Sequence, residues 1–143
     1  MGLMNRARPL VFAVMALLTA GACTYNDETI PLPTTPAPVT TERFAGTLGL
    51  NEKAVHPFTI ALSGGLLTVT LTAAGPPATI PMGLAVGTSD GTNCTILTNG
   101  SVTTPAGAAP QLSGTLNGGK YCVQVSNGNQ AAPVTYAVTV THY

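Results

Sequence analysis

The chain is poor in charged and aromatic side chains, and each shortage excludes a class of protein. Of its 143 residues only 7% are charged, five basic against five acidic, and Trp is absent. A protein that holds nucleic acid by a basic surface is therefore excluded, as is a highly charged disordered chain. The length accommodates one domain of about 100–150 residues plus appendages.

Apolar runs long enough to span a bilayer are also missing. The N-terminal apolar run extends only from Leu10 to Ala20, between Pro9 and Gly21. A transmembrane helix needs about 20 apolar residues. Because basic residues precede this short run and small residues follow it, the pattern predicts an export signal peptide over residues 1–22.

The residues that follow the run resemble the cleavage region of a bacterial lipoprotein signal. Small residues in the segment Thr19–Ala22 precede Cys23, and in such proteins this cysteine becomes the lipidated first residue. The resemblance implies a lipid such as palmitate on Cys23, and therefore anchorage to a membrane of the cell envelope, at the outer membrane or the cell surface. Ala20 stands where Leu is usual, so cleavage by an ordinary signal peptidase near Ala22, giving a freely secreted protein, is the alternative.

Three cysteines leave one unpaired in an exported protein. If Cys23 carries lipid, Cys94 and Cys122 remain as a pair, and we predict a disulfide between them; two buried thiols are the alternative. Alternation along the strand would turn Cys122 away from the core side of Tyr121 and Val123. The bond is therefore expected to clamp the Cys94 loop onto the outside of a sheet.

A proline-rich linker separates the signal peptide from the folded domain. Residues 23–41 comprise the cysteine and a segment in which prolines alternate with small or β-branched residues. Proline removes backbone donors and favours extended polyproline geometry. The composition predicts a stalk that carries a single domain over residues 42–143.

The domain shows the two-residue alternation of β-strands. Apolar residues of one parity recur in six segments, around Leu48, Phe58, Leu67, Leu84, Val123 and Val138. Weaker strands are expected near Cys94–Leu97 and Pro110–Leu116, and turn signals such as Asn99-Gly100 lie between the segments. The pattern predicts an all-β fold, an antiparallel β-sandwich or jelly roll of about seven to nine short strands. The same parity extends to Leu50 and Leu62, which are therefore expected to lie within half-buried strands.

Several of these segments resemble the bacterial pre-peptidase C-terminal domain. They are Phe44–Leu48, His56–Ile60, Leu66–Leu71, and Gly119–Val125 followed by Tyr136–Val140. The similarity covers most of the domain and rests on the order and spacing of the whole set. It implies a small β-sandwich appended to secreted enzymes or surface proteins, in some cases linked to Ca²⁺ or polymer binding.

Catalytic and metal-binding residues are sparse. The domain has three carboxylates, and of these only Asp90 has polar oxygen neighbours, so it is the one weak candidate for a Ca²⁺ ligand. An Asx turn ahead of Gly91 is the competing interpretation. His56 shares the parity of Phe58 and is expected at the rim of the core, and neither it nor His142 has a ligand partner at metal-site spacing. The sequence predicts a protein that is not an enzyme and that needs no cofactor.

The leading functional hypothesis is a non-catalytic envelope lipoprotein. It would be held at the membrane by the lipid on Cys23 and would display its β-sandwich to an envelope protein or glycan of unknown identity. A different class of function is a structural subunit that self-associates through strand edges. A freely secreted accessory domain is a further alternative, and a hydrolase depending on His56 or Asp90 is the least favoured.

Overall fold

The computed structural model describes residues 38–128 and 131–143. The signal segment 1–22 and most of the linker, including Cys23, lie outside the described residues. The described part forms eight strands and contains no helix. The strands are β1 (Thr40–Leu48), β2 (Lys53–Ile60), β3 (Gly65–Gly75), β4 (Met82–Ser89), β5 (Cys94–Thr104), β6 (Leu112–Leu116), β7 (Gly119–Ser126) and β8 (Val134–His142).

The strands form two four-stranded antiparallel sheets. The first sheet has the order β1-β8-β3-β6 and the second the order β2-β7-β4-β5. Successive strands alternate between the sheets except at the β4–β5 hairpin, which is the topology of a jelly roll. The predicted fold class is confirmed, with a strand at each of the eight expected places. The first strand begins at Thr40, two residues before the expected start of the domain.

The core lies between the two sheets and follows from the predicted alternation. Side chains of one parity on each strand point inward and are buried, while their neighbours face solvent. The buried set includes Leu48, Phe58, Ile60, Leu67, Val69, Leu71, Met82, Leu84, Val86, Tyr121, Val123, Val125, Val138 and Val140. Threonines occupy many of the intervening outward positions of β3 and β8, as the repeated Thr-x-Thr pattern indicates.

Two apolar residues that share the core parity lie outside the strands. Leu50 is 53% exposed and Leu62 is 98% exposed, so the expectation that they extend half-buried strands is wrong. The strands end at Leu48 and Ile60, and a turn follows each. Alternation assigns a side chain to a face only while the backbone stays extended, and it therefore fails at these two leucines.

The Asn99-Gly100 pair lies within β5 and marks a bulge instead of the end of a strand. Ala85 of β4 pairs with Ser101, whereas Gly87 pairs with Ile96, so β5 carries extra residues opposite Val86. Asn99 has a left-handed backbone with φ 60°, a conformation that Asn tolerates better than most residues. The weak strand expected near Cys94–Leu97 therefore continues to Thr104.

Candidate functional site

The predicted disulfide is present and lies on the outer side of the second sheet. Cys94 and Cys122 are joined with their Cα atoms 5.8 Å apart. Cys122 points away from the core between Pro57 and Gly87, although the start of β5 covers it completely. A Cβ on Gly87 would lie 2.9 Å from the Cys94 sulfur and would also clash with the Thr95 carbonyl. Glycine at this position therefore lets the start of β5 pass close to β4, so that Cys94 reaches Cys122.

The Asp90 loop forms the Asx turn that competes with a metal site. The Oδ1 atom of Asp90 accepts hydrogen bonds from the backbone N–H groups of Thr92 and Asn93, and Oδ2 accepts one from the Asn93 side chain. The bonds from Asn93, together with the bond from Thr92, lower the pKa of Asp90 to about 2. Both carboxylate oxygens are thus engaged within the loop. Among the described residues, no group of three His, Cys, Asp or Glu side chains is placed to hold a metal.

His56 lies where the edge strands β1 and β2 of the two sheets meet, a side of the sandwich that we call the closed flank. Its Nε2 atom is 2.7 Å from the hydroxyl oxygen of Tyr136 on β8. Its ring stacks on Phe44 of β1, with the ring centres 4.6 Å apart. The half-buried position at the rim of the core agrees with the sequence expectation, whereas the Tyr136 contact could not be read from the sequence.

Gly46 makes room for the tyrosine that reaches His56. It pairs with Tyr136 across β1 and β8, and a Cβ on Gly46 would lie 3.0 Å from the tyrosine hydroxyl. Burial lowers the pKa of His56 and raises the pKa of Tyr136. Both side chains are therefore held neutral at pH 7, which suits a structural hydrogen bond between the sheets.

A second histidine is buried on the same flank. His142 is only 3% exposed, its Nε2 atom is 3.1 Å from a carboxylate oxygen of Glu42, and its ring lies 5.4 Å from that of Phe58. The sequence contained one signal for this pair. Glu42 lies two residues before Phe44 and therefore faces the same, inward side of β1, where a carboxylate needs a polar partner. The closed flank therefore contains two histidines, each occupied by a different partner.

The residues suggested for a hydrolase do not form an open catalytic group. The Nε2 atom of His56 is occupied by Tyr136, and the carboxylate of Asp90 is occupied by its own loop. A general base must reach the proton it removes from a substrate. Neither group lines the cleft between β5 and β6, which lies on the opposite side of the sandwich.

That opposite side, where the edge strands β5 and β6 face each other, we call the open flank. A cleft of about 170 Å³ enters the sandwich there. Its apolar lining consists of Leu67, Val86, Leu97, Leu112 and Leu116. Leu67 and Val86 belong to the core, so the cleft exposes part of the space between the sheets.

The cleft exists because β6 has a glycine at an inward position. Leu112 and Leu116 pack against the core, and Gly114 lies between them with the same parity. A Cβ on Gly114 would meet no atom within 4 Å, so the space that a side chain would fill stays open. Gly100, on the β5 side, is different, because its Cβ would lie 2.8 Å from the Val86 carbonyl oxygen.

Two properties make this cleft the candidate binding site. None of its lining residues is charged, so it suits an uncharged apolar group. Its walls are strands that pair on one side only, β5 with β4 and β6 with β3. Sequence reasoning missed the site, although a glycine between two leucines of core parity was a signal that could have indicated it.

Comparison with known proteins gives only distant likenesses. No family model and no curated protein matches the chain. The solved structures that it resembles include PliG of Salmonella Typhimurium, a periplasmic inhibitor of g-type lysozyme (14% identity, TM-score 0.41, 72% of this chain and 91% of that one). PliG of Aeromonas hydrophila is also similar (14%, 0.43, 72% and 86%), as is the disulfide-linked pilus of Bacillus endospore appendages (11%, 0.37, 73% and 87%). Likeness at this level carries no argument about function.

The described residues contain no helix that is long and apolar enough to cross a membrane.

Proposed function

We propose that this chain is a non-catalytic lipoprotein of the bacterial envelope that binds a protein partner through the cleft on its open flank. The observation that carries the proposal is the cleft beside Gly114, which reaches the core residues Leu67 and Val86 and is lined by the partly buried Leu97, Leu112 and Leu116. The resemblance of the domain to the pre-peptidase C-terminal domain remains a prediction from the sequence.

The shape of the cleft favours an extended segment of a partner protein. A strand added to a free sheet edge gains main-chain hydrogen bonds, while pockets along the edge select its alternate side chains. Here the free edge is that of β6, and the gap at Gly114 would receive one apolar side chain of the added strand. The apolar lining favours a protein over the glycan that was the other predicted partner, because glycan hydroxyls need polar groups when they are buried.

Electrostatics contribute little to this binding. The cleft is uncharged, and the domain carries three acidic against three basic residues. Long-range steering is therefore weak. We expect the affinity for the partner to change little with salt concentration.

The anchor is tested by the intact mass of the protein purified from its own membranes. A mature chain that begins at Cys23 and carries a lipid increment supports the proposed attachment. An unlipidated chain starting near Cys23 supports the freely secreted alternative. The same spectrum after reduction should gain the mass of two hydrogens for the Cys94–Cys122 bond.

Binding is tested by site-specific photo-cross-linking in the producing cells. A photoreactive residue at Thr98, exposed at the rim of the cleft, should capture a protein. Gly114→Val, which fills the gap, should abolish the capture. Gly128→Val is the matched control, because its Cβ also enters open space but lies in a distant loop. Capture that is unaffected by Gly114→Val, or an absence of any captured protein, would contradict the proposal.

A further inference from the structure

The wall of the cleft on the β5 side is a bulge in the ladder between β4 and β5. On one side of the bulge Gly87 pairs with Ile96, and on the other side Ala85 pairs with Ser101. The residues between the two paired stretches all line the cleft, and they are Leu97, Thr98, Asn99 and Gly100. The form of the cleft therefore depends on the register of β5 against β4.

The same two strands could pair in a second register. At present Ser89 pairs with Cys94, and we call this arrangement the bulged register. In a continuous register, the regular pairing at Ala85 and Ser101 would run on without a bulge, and Ser89 would pair with Leu97, three residues further along β5. All of Val86–Ser89 would then be paired with β5, whereas Val86 is now opposite the bulge. The continuous register therefore loses no ladder pairing.

Local packing and backbone geometry favour different registers. Leu97 packs against the core in the bulged register. A shift by an odd number of residues reverses the faces of a strand, so the continuous register would turn Leu97 outward. The bulge, however, holds Asn99 in a left-handed conformation with φ 60°, and a Cβ on Gly100 would lie 2.8 Å from the Val86 carbonyl oxygen. A further constraint is needed to fix the register.

The disulfide supplies this constraint, because it is compatible with the bulged register only. Cys122 belongs to β7, which is held between β2 and β4. In the bulged register the Cα atoms of Cys94 and Cys122 are 5.8 Å apart. A shift of three residues moves Cys94 by about 10 Å along the strand, and Cα atoms more than about 7 Å apart cannot be bridged.

We propose that the Cys94–Cys122 disulfide selects the register of β5 and thereby forms the wall of the cleft. In the reduced protein β5 moves by three residues into the continuous register, and Leu97 leaves the cleft. The change of register is argued from the strand pairing alone, whereas its effect on partner binding rests on the proposed function. The cleft is therefore competent to bind only in the oxidised protein.

Reduction begins at the more accessible sulfur. Cys122 is completely buried and Cys94 is partly buried, so the thiolate of an external dithiol attacks the Cys94 sulfur. The S–S bond breaks, and Cys122 leaves as a thiolate that takes up a proton. The second thiol of the reductant then attacks its own sulfur in the mixed disulfide and releases Cys94. Two electrons pass to the protein, and the reductant leaves as a disulfide.

The register is tested by NMR on the isotope-labelled mature protein, before and after reduction with dithiothreitol. Nuclear Overhauser contacts between Thr88 and Thr95 report the bulged register, in which these residues are paired. Contacts between Thr88 and Thr98 report the continuous register. The oxidised protein should show only the first set, and reduction should produce the second. The cysteine variant, Cys94→Ser/Cys122→Ser, should show the second set with or without reductant.

An added methyl group makes the test sharper. Gly100→Ala crowds the Val86 carbonyl oxygen in the bulged register, so in the cysteine variant it should remove any remaining bulged-register contacts. Gly114→Ala is the matched control, because its Cβ meets no atom within 4 Å, and it should leave the register unchanged. Bulged-register contacts that survive Gly100→Ala in the cysteine variant would overturn the inference. A reduced protein in which β4 and β5 no longer pair would also overturn it.

Photo-cross-linking from Thr98 in the producing cells separates this inference from the proposed function. The cysteine variant should lower capture to the level of Gly114→Val. Tyr136→Phe, which alters the closed flank and keeps the disulfide, should leave capture unchanged. Gly114-dependent capture that persists in the cysteine variant would overturn the inference and leave the proposed function standing. A change of register on reduction, with no capture by the oxidised protein, would support the selection of the register and contradict the proposed function.

Discussion

The hydroxyl oxygen of Tyr136 lies 2.7 Å from Nε2 of His56, and this hydrogen bond joins the two sheets at the closed flank. Tyr136→Phe removes the hydroxyl and keeps the ring over Gly46. Because a hydrogen bond of this kind contributes about 1 kcal/mol net, the free energy of unfolding should fall by about that amount in urea titrations. A double-mutant cycle with His56→Gln isolates the pair, and a coupling of zero would show that the bond contributes nothing.

The same pair makes stability depend on pH. Burial lowers the pKa of His56 below its ordinary value, so the unfolded chain takes up a proton at a higher pH than the folded chain. The contribution of neutral His56 to the free energy of unfolding is therefore complete above the pKa of the unfolded chain, about 6.5. It is lost as the pH falls through the lower pKa of the folded chain. The free energy of unfolding should decrease from pH 7 to pH 5.

Comparison with His56→Gln assigns this slope to one residue. The substitution removes the imidazole whose pKa is lowered by burial. It should therefore flatten the decrease between pH 7 and pH 5. A variant that keeps the full wild-type slope would show that His56 does not cause it.

The disulfide should contribute strongly to stability. Cys94 and Cys122 are 28 residues apart in sequence, and closing a loop of that length stabilises the fold by about 3–4 kcal/mol in the chain-entropy model. Reduction of the wild-type protein should therefore lower its melting temperature markedly. The double variant Cys94→Ser/Cys122→Ser should match the reduced protein and should not respond to reductant. A reduced protein that melts like the oxidised one would contradict the expectation.

The fold could be predicted well from the sequence because local alternation determines which side chains are buried. Val123 and Val125 are buried and Cys122 points the other way, as a period of two requires. The same rule failed at Leu50 and Leu62, because nothing in the alternation shows where a strand stops. At Asn99-Gly100 the sequence predicted a turn between strands, whereas the structure has a bulge within one strand, with a left-handed backbone at Asn99.

The contacts that define the flanks could not be predicted, because they join residues that are far apart in the sequence. His56 meets Tyr136 across 80 positions, and His142 meets Glu42 across 100. Such pairs depend on which strands form the edges of each sheet. The cleft likewise required the pairing of Gly114 with Leu67, since a glycine leaves a gap only when its neighbours do not fill it.

A substitution at Gly114 should move stability and binding in opposite directions. A glycine within a strand destabilises it by about 0.5–1 kcal/mol relative to alanine, and valine is favoured in strands. Because the Cβ at this position enters open space, Gly114→Val should raise the free energy of unfolding by about 1 kcal/mol while it abolishes capture by the Thr98 probe.

The other glycine of the cleft supplies the contrast. A Cβ at Gly100 would lie 2.8 Å from the Val86 carbonyl oxygen, so Gly100→Val should destabilise the domain, by about 1–3 kcal/mol as overpacking does. If Gly114→Val stabilises the fold while Gly100→Val destabilises it, then Gly114 is not needed for packing and the gap beside it is free to receive a ligand. Equal destabilisation at Gly114 and Gly100 would mean that Gly114 is needed for packing, and the cleft would then lose its role as a binding site.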